Sequence, residues 1–130
     1  MELMMENLRI EGTQSTPYID CDYDAGSVEM RGDSYPENSF ELFSPVTEWI
    51  EAYLAGGERE LALNLRLLYL NTSSVKAMMD IFDLLEDAHR KGGKVGVNWY
   101  YDPENERVAE LAEEFKEDCS FPFAIVRNME

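Results

Sequence analysis

The first part of the chain alternates apolar and polar residues in the way that paired β-strands do. Residues 17–23 and 27–31 alternate on either side of Asp24-Ala25-Gly26, a short turn-forming segment. This arrangement predicts a β-hairpin. Residues 8–10, just before it, form either an edge strand or only a lead-in.

Three later apolar segments predict further strands. Residues 60–70 form a short, Leu-rich run, which is typical of a strand buried on both faces of a parallel sheet. Residues 94–101 and 121–126 form the other two.

Helix-period segments separate these strands. In the first, Pro45 lies either in the opening turn or at a kink after a shorter helix at residues 40–43, and Gly56-Gly57 ends the helix. Residues 72–90 and 104–118 predict the second and third helices. The apolar face of the first helix consists of Val46, Trp49, Ile50, Tyr53 and Leu54.

Strands that alternate with helices of this length need crossover connections, which make the joined strands parallel. We therefore expect one α/β domain over residues 1–130. Its mixed sheet should have an N-terminal hairpin and parallel later strands, with the helices packed on it.

The segment Asn71-Thr72-Ser73-Ser74 separates the Leu-rich strand from the second helix. Side-chain oxygens of these residue types cap helices, because they accept hydrogen bonds from the first-turn amides. In open α/β sheets, this carboxyl edge is where ligand sites tend to lie. The segment therefore suits either a well-capped helix start with no further role or a hydroxyl site whose phosphorylation would change the local charge.

Charge narrows the range of partners. The chain has 27 acidic and 11 basic residues, a formal net charge of −16. Nucleic acids and anionic membranes bind Lys/Arg patches, so neither is an expected partner. Basic patches on other proteins are compatible with this charge. No apolar run is long enough to span a membrane, and the N-terminus lacks signal-peptide order, so we expect a cytoplasmic protein.

The sequence offers no convincing catalytic set. His89 is the single histidine and falls among basic residues at a predicted helix end. Cys21 and Cys119 form no CxxC pair, so we expect free thiols, and the phosphate-binding glycine motifs are missing. We therefore expect no enzyme activity, metal or cofactor.

Several aromatic and amide side chains fall near the expected carboxyl edge of the sheet. Tyr and Trp are frequent interface anchors, so these residues are candidate partner contacts. Packing of loops over the core explains the aromatic residues equally well. The candidates are Tyr35, Asn38, Tyr69, Asn71, Trp99 and Tyr101.

Long blocks of the chain resemble the SiaC family of bacterial biofilm-regulating phosphoproteins. The blocks are residues 12–17, 32–39, 65–81, 105–115 and 117–125. That family looks like the STAS domains of anti-sigma-factor antagonists, in which a hydroxyl residue between a central strand and the next helix is phosphorylated.

The resemblance implies a non-enzymatic phospho-switch. The family's phosphoacceptor threonine falls on Thr72, with Ser73 and Ser74 as alternates. The unphosphorylated form would bind and activate a diguanylate cyclase, which raises cyclic di-GMP and promotes biofilm. A serine/threonine protein kinase would add the phosphate, and a PP2C-type phosphatase would remove it.

Two other functions fit parts of the sequence. A small-molecule-binding α/β regulatory domain would use the same strand edge and hold an apolar cavity near Tyr69 and Trp99. An enzyme with a nucleophilic Thr or Cys is disfavoured, because no well-placed base is evident.

Overall fold

The computed structural model describes residues 6–56 and 59–128. Within these ranges the chain forms six strands and three helices. The strands are β1 (Leu8–Ile10), β2 (Tyr18–Asp22), β3 (Ser27–Ser34), β4 (Leu61–Leu70), β5 (Val95–Tyr101) and β6 (Phe123–Arg127). The helices are α1 (Ser39–Ala55), α2 (Thr72–Arg90) and α3 (Glu106–Glu117).

The strands form one mixed sheet in the order β1-β2-β3-β4-β5-β6. The β1–β2 and β2–β3 pairs are antiparallel, and the pairs from β3 to β6 are parallel. The predicted hairpin and parallel later strands are confirmed, and residues 8–10 are an edge strand. The three crossovers all step in the same direction, so the usual right-handed connection places every helix on one face. The likeness to STAS domains stays a prediction.

β4 is buried on one face only. Leu63, Leu65 and Leu67 are fully buried beneath the helices, whereas Arg66 points to the open face and is exposed. The prediction of burial on both faces is therefore wrong, because no helix covers the second face. Polar pairs lie there instead: the Arg66 guanidinium sits 4.3 Å from the centre of the Tyr100 ring.

α1 is one continuous helix with Pro45 inside it, so neither predicted placement of Pro45 is correct. Proline lacks the amide that would bond the carbonyl one turn earlier, at a typical cost of about 3 kcal/mol. Burial of the apolar side chains on either side of it, Phe43 and Val46, offsets that cost. The helix is capped at Gly56, while Gly57 lies outside the described residues.

The core lies between the sheet and the helices. Phe82 of α2 packs edge to face against Phe115 of α3, with ring centres 5.0 Å apart. The second helix has the predicted limits, and α3 begins two residues later and ends one residue earlier than predicted. The carboxyl end of β4 and the start of α2 thus meet at one rim of the domain.

Candidate functional site

Thr72 is the first residue of α2, directly after the helix cap Asn71. Its side chain is exposed, and its hydroxyl forms no hydrogen bond with any residue in the ranges that the structure covers. The backbone turns from strand to helix here, which carries the side chain out over the rim. The Thr72 side chain is therefore accessible from solvent.

The two neighbouring serines are held differently. The Ser74 side chain is fully buried, and its Oγ lies 2.7 Å from the Ser34 Oγ. The Ser73 side chain is exposed, but its Oγ lies 2.6 Å from the Ser39 Oγ. Among the three hydroxyl residues, Thr72 alone combines exposure with a free hydroxyl.

Asn71 connects the end of β4 to the start of α2 through several hydrogen bonds. Its Oδ1 accepts hydrogen bonds from the Ser74 amide at 2.9 Å and from the Ser73 hydroxyl at 3.2 Å. Its backbone amide donates to the Ser34 carbonyl at 2.8 Å. Asn71 is half-buried, so its side chain mainly fixes the start of α2.

A β-bulge shapes the surface beside Thr72. Gly32 pairs with Leu67 and Asp33 pairs with Tyr69, so Leu68 is an extra residue on β4. Such an insertion breaks the strict alternation of side chains. Leu68 and Tyr69 are therefore both exposed, at 52% and 50%.

The bulge is supported from both sides. Gly32 has φ +108°, a left-handed conformation that favours glycine. The Asn105 side-chain amide donates to the Leu68 carbonyl at 2.9 Å, and its Oδ1 accepts from the Val108 amide at the start of α3. These contacts hold an irregular backbone in one arrangement.

The bulge creates an exposed apolar surface, which we call the aromatic patch: Tyr35, Leu68 and Tyr69. The two tyrosine rings meet edge to face with their centres 6.1 Å apart. Together with Asp33 they line an open hollow of about 320 Å³. The patch adjoins the junction that carries Thr72, three residues after Tyr69.

The remaining predicted contacts lie elsewhere. Trp99 is fully buried and stacks on Phe115 with ring centres 5.7 Å apart, so the expectation that it faces the edge is wrong. Helix α3 covers that face of β5, which the local sequence does not indicate. Tyr101 is half-buried at the end of β5, and Asn38 is exposed as the cap of α1.

Some exposed apolar residues escaped the sequence analysis. Leu68 belongs to a Leu-rich run that predicts buried core residues, and its exposure follows only from the bulge. Phe40 and Met79 are 81% and 48% exposed, although both lie in helix-period segments. The polar residues just before Phe40, the helix cap Asn38 and Ser39, are the one local signal that Phe40 is exposed.

The described residues hold no obvious catalytic or metal group. No cluster of three His, Cys, Asp or Glu side chains among them could bind a metal ion. Burial raises the pKa of the Cys21 thiol to about 12 and that of Cys119 to about 11. Both thiols are therefore protonated at neutral pH and are poor nucleophiles. None of the three helices in the described ranges has both the length and the apolar composition of a membrane-spanning segment.

Comparison with known proteins identifies the family of this chain. The profile described as "SiaC family regulatory phosphoprotein" matches residues 10–128. An uncharacterized protein of Pseudomonas aeruginosa (strain UCBPP-PA14) is 67% identical over 121 residues, which cover 93% of this chain and 96% of that protein.

Solved structures give the same result. The chain is similar to SiaC of P. aeruginosa with a TM-score of 0.91 and 64% identity, covering 95% of this chain and 100% of that one. It is also similar, with a TM-score of 0.91 and 66% identity over 93% of this chain and 99% of that one, to a chain in the crystal structure of the diguanylate cyclase SiaD in complex with its activator SiaC. This chain belongs to the SiaC family, and it is a regulatory phosphoprotein rather than an enzyme.

Proposed function

We propose that this chain is a cytoplasmic phospho-switch for a diguanylate cyclase. Without phosphate on Thr72 it binds and activates the cyclase, and phosphorylation releases it. The observation that carries the proposal is the free, exposed Thr72 hydroxyl beside the aromatic patch. The complex of the similar SiaC with the cyclase SiaD supports the choice of partner.

The site accommodates a phosphate without losing its fold. Thr72 is at the amino end of α2, where the helix dipole favours negative charge. A phosphate adds a charge of about −1.5 to −2 at neutral pH. The Thr72 side chain is exposed and takes no part in the buried Ser34–Ser74 hydrogen bond, so a phosphate would leave that bond intact.

Phosphorylation of Thr72 would, by contrast, strongly weaken binding of the cyclase. A partner seated on the aromatic patch would also cover Thr72, because the two are adjacent. Burying an unpaired charge in an interface costs about 2 to 5 kcal/mol. That cost is sufficient for release of the cyclase.

A reversible switch needs two opposing enzymes. A serine/threonine protein kinase would transfer phosphate to Thr72, and a PP2C-type phosphatase would hydrolyse it. Exposure of Thr72 suits both enzymes, since each must reach the side-chain oxygen. Ser73 and Ser74 are poorer acceptors, because their hydroxyls bond to Ser39 and Ser34.

The proposal is tested by cyclase activation. We expect Thr72→Ala to stimulate cyclic di-GMP synthesis by SiaD as the unmodified chain does, and Thr72→Glu to stimulate it poorly. Ser73→Ala is the matched control and should retain both stimulation and phosphorylation, read as one phosphate by intact mass. Equal stimulation by the Ala and Glu variants would remove Thr72 from the mechanism.

A further inference from the structure

A second surface lies beside the switch, on the side away from the sheet. Helices α1 and α2 are separated by a groove of about 680 Å³, which we call the α1–α2 groove. Its lining residues are Glu37, Asn38, Ser39, Phe40, Phe43, Ser44, Thr47, Glu48, Glu51, Ser73, Lys76, Ala77 and Asp80. Of the predicted partner contacts, only Asn38 also lines this groove.

The floor of the groove behaves as an apolar surface. Phe43 is buried beneath it, and Ala77 is the facing small residue on α2. The Ser44 and Thr47 hydroxyls donate back to carbonyls of their own helix, at 2.7 and 3.1 Å. These hydroxyls are therefore satisfied and leave room for a side chain from outside.

The rim offers an aromatic anchor. Phe40 is 81% exposed, more than any other large apolar residue in the described ranges. It is placed in the first turn of α1, next to the Ser39–Ser73 hydroxyl pair that joins the two helices near Thr72. Exposed aromatic residues beside a groove are typical of docking sites.

Charge defines what the groove would bind. Four carboxylates line it, and none of them forms a salt bridge with a residue that the structure describes. Lys76 is the one basic side chain in the lining. The carboxylates belong to Glu37, Glu48, Glu51 and Asp80. A partner segment that carries basic residues around an apolar one complements this groove.

Phosphorylation would make the groove more negative. Lys76 is four residues after Thr72, so the two side chains are neighbours on the exposed side of α2. A phosphate on Thr72 would attract the Lys76 ammonium. Lys76 would then offset less of the negative charge of the four groove carboxylates. Affinity for a basic segment would therefore rise on phosphorylation, the reverse of the behaviour proposed for the cyclase.

We propose that the α1–α2 groove docks the phosphatase through a basic segment with an apolar anchor. This rests on the proposed function, in which a PP2C-type phosphatase restores Thr72. Phosphate on Thr72 makes the groove more negative and so favours a basic partner that binds the phosphorylated chain. The phosphatase is that partner, since the kinase and the cyclase engage the unphosphorylated form. The reaction served is hydrolysis: a water oxygen bonds to phosphorus, the bond from phosphorus to the Thr72 Oγ1 breaks, and Oγ1 receives a proton from water.

The experiment compares two charge-matched triple variants, both phosphorylated on Thr72. The test variant is Glu48→Gln, Glu51→Gln and Asp80→Asn in the groove. The control is Glu110→Gln, Glu113→Gln and Glu114→Gln on the exposed face of α3, with the same change in net charge. The probe is a PP2C-type phosphatase that dephosphorylates the unaltered phosphorylated chain.

We expect the groove variant to raise KM about tenfold at low salt with kcat unchanged, because each exposed ion pair is worth about 0.2 to 1 kcal/mol. High salt should erase the difference. Phe40→Ser should raise KM at both salt concentrations. The control variant should stay within about twofold of the unaltered chain, by the same scale of surface effects.

Two results would overturn the docking proposal. One is equal KM values for the groove and control variants. The other is loss of SiaD affinity by the unphosphorylated groove variants, which would assign the groove to the cyclase. Failure of the switch itself is seen separately, as SiaD binding that does not respond to phosphate on Thr72 in the unaltered chain.

Discussion

Thr72 and Ser74 have hydroxyls two positions apart in one helical turn, and burial gives them opposite roles. The Ser74 hydroxyl faces the Ser34 hydroxyl inside the domain, where water does not reach either. The Thr72 hydroxyl faces solvent. The first therefore contributes to stability, while the second is available for chemistry.

Replacement of these two residues should separate the roles. Ser74→Ala leaves the buried Ser34 hydroxyl without its closest partner, which costs about 1 to 3 kcal/mol. Thr72→Ala removes an exposed, unbonded hydroxyl and should change stability by less than about 0.5 kcal/mol. Urea denaturation measures both free energies of unfolding. Equal stability of the two variants would contradict the assigned burial.

The sequence reveals the helix cap before Thr72 better than it reveals the burial of Trp99, for a physical reason. Asn71 caps the helix through contacts within four residues, so the chemistry of the cap is visible locally. The burial of Trp99 depends on α3, which begins several residues later and packs over β5. A side chain's exposure on a strand is decided by which face the helices cover.

At the scale of elements, the bulge in β4 determines the surface next to Thr72. In a regular strand, strict alternation would place the successive residues Leu68 and Tyr69 on opposite faces of the sheet. The insertion depends on pairing with β3, some 35 residues earlier, and on Gly32. Hydrophobic periodicity alone therefore predicted the strand but missed the patch.

Asn105 should show how strongly α3 supports that bulge. Asn105→Ala removes the α3 cap and also the hydrogen bond to the Leu68 carbonyl. Asn38→Ala is the matched control, because it removes the cap of α1, whose Oδ1 accepts from the Glu41 amide at 3.0 Å. Among the described residues, the Asn38 side-chain amide otherwise makes only a long, exposed contact of 3.4 Å with the Glu41 carboxylate. A cap alone costs about 0.5 to 2 kcal/mol.

The Asn105 variant should lose about 1 kcal/mol more than the Asn38 variant, the value of one further hydrogen bond. Thermal or urea unfolding gives the difference. Equal losses would mean that the bulge holds its shape without α3.

Pro45 shows a second limit of prediction from the sequence at the scale of elements. Proline signals a helix start or a break, and the sequence left these two alternatives open for Pro45. The helix continues because its apolar face packs on the sheet and outweighs one lost backbone bond. Tertiary packing of this kind has no local signature.

At the scale of the whole molecule, Glu86 links α2 to the segment before β6. Its carboxylate accepts hydrogen bonds from the Ser120 hydroxyl and from the Ser120 amide, the latter at 2.7 Å, and it pairs with Arg90 at 3.1 Å. These contacts, chiefly those with Ser120, lower the pKa of Glu86 from 4.5 to about 2. The fold should therefore depend on pH through this residue.

The sign follows from linkage. A pKa lower in the folded state than in the unfolded state contributes stability above pH 4.5, and the contribution is lost as pH falls towards 2. The unaltered chain should therefore exceed Glu86→Gln in free energy of unfolding at neutral pH, with the gap closing in acid. Urea denaturation from pH 7 to pH 2.5 measures the gap. A gap that does not change with pH would contradict the assignment.

The order of elements and the mixed sheet were predictable from hydrophobic periodicity, because each strand and helix carries its own pattern. The open second face of the sheet was not. Parallel strands usually have helices on both faces, whereas here every crossover steps the same way and leaves Arg66 exposed and Tyr100 half-buried on the side without helices. Strand order, which decides this, leaves little trace in a single sequence.

The most direct test of the switch is the affinity of SiaD for the chain with and without one phosphate on Thr72. Isothermal titration calorimetry on the unmodified chain and on a chain phosphorylated at Thr72 alone gives the two dissociation constants. We expect phosphorylation to weaken binding at least about 30-fold, the equivalent of about 2 kcal/mol. Dissociation constants within twofold of each other would contradict the account.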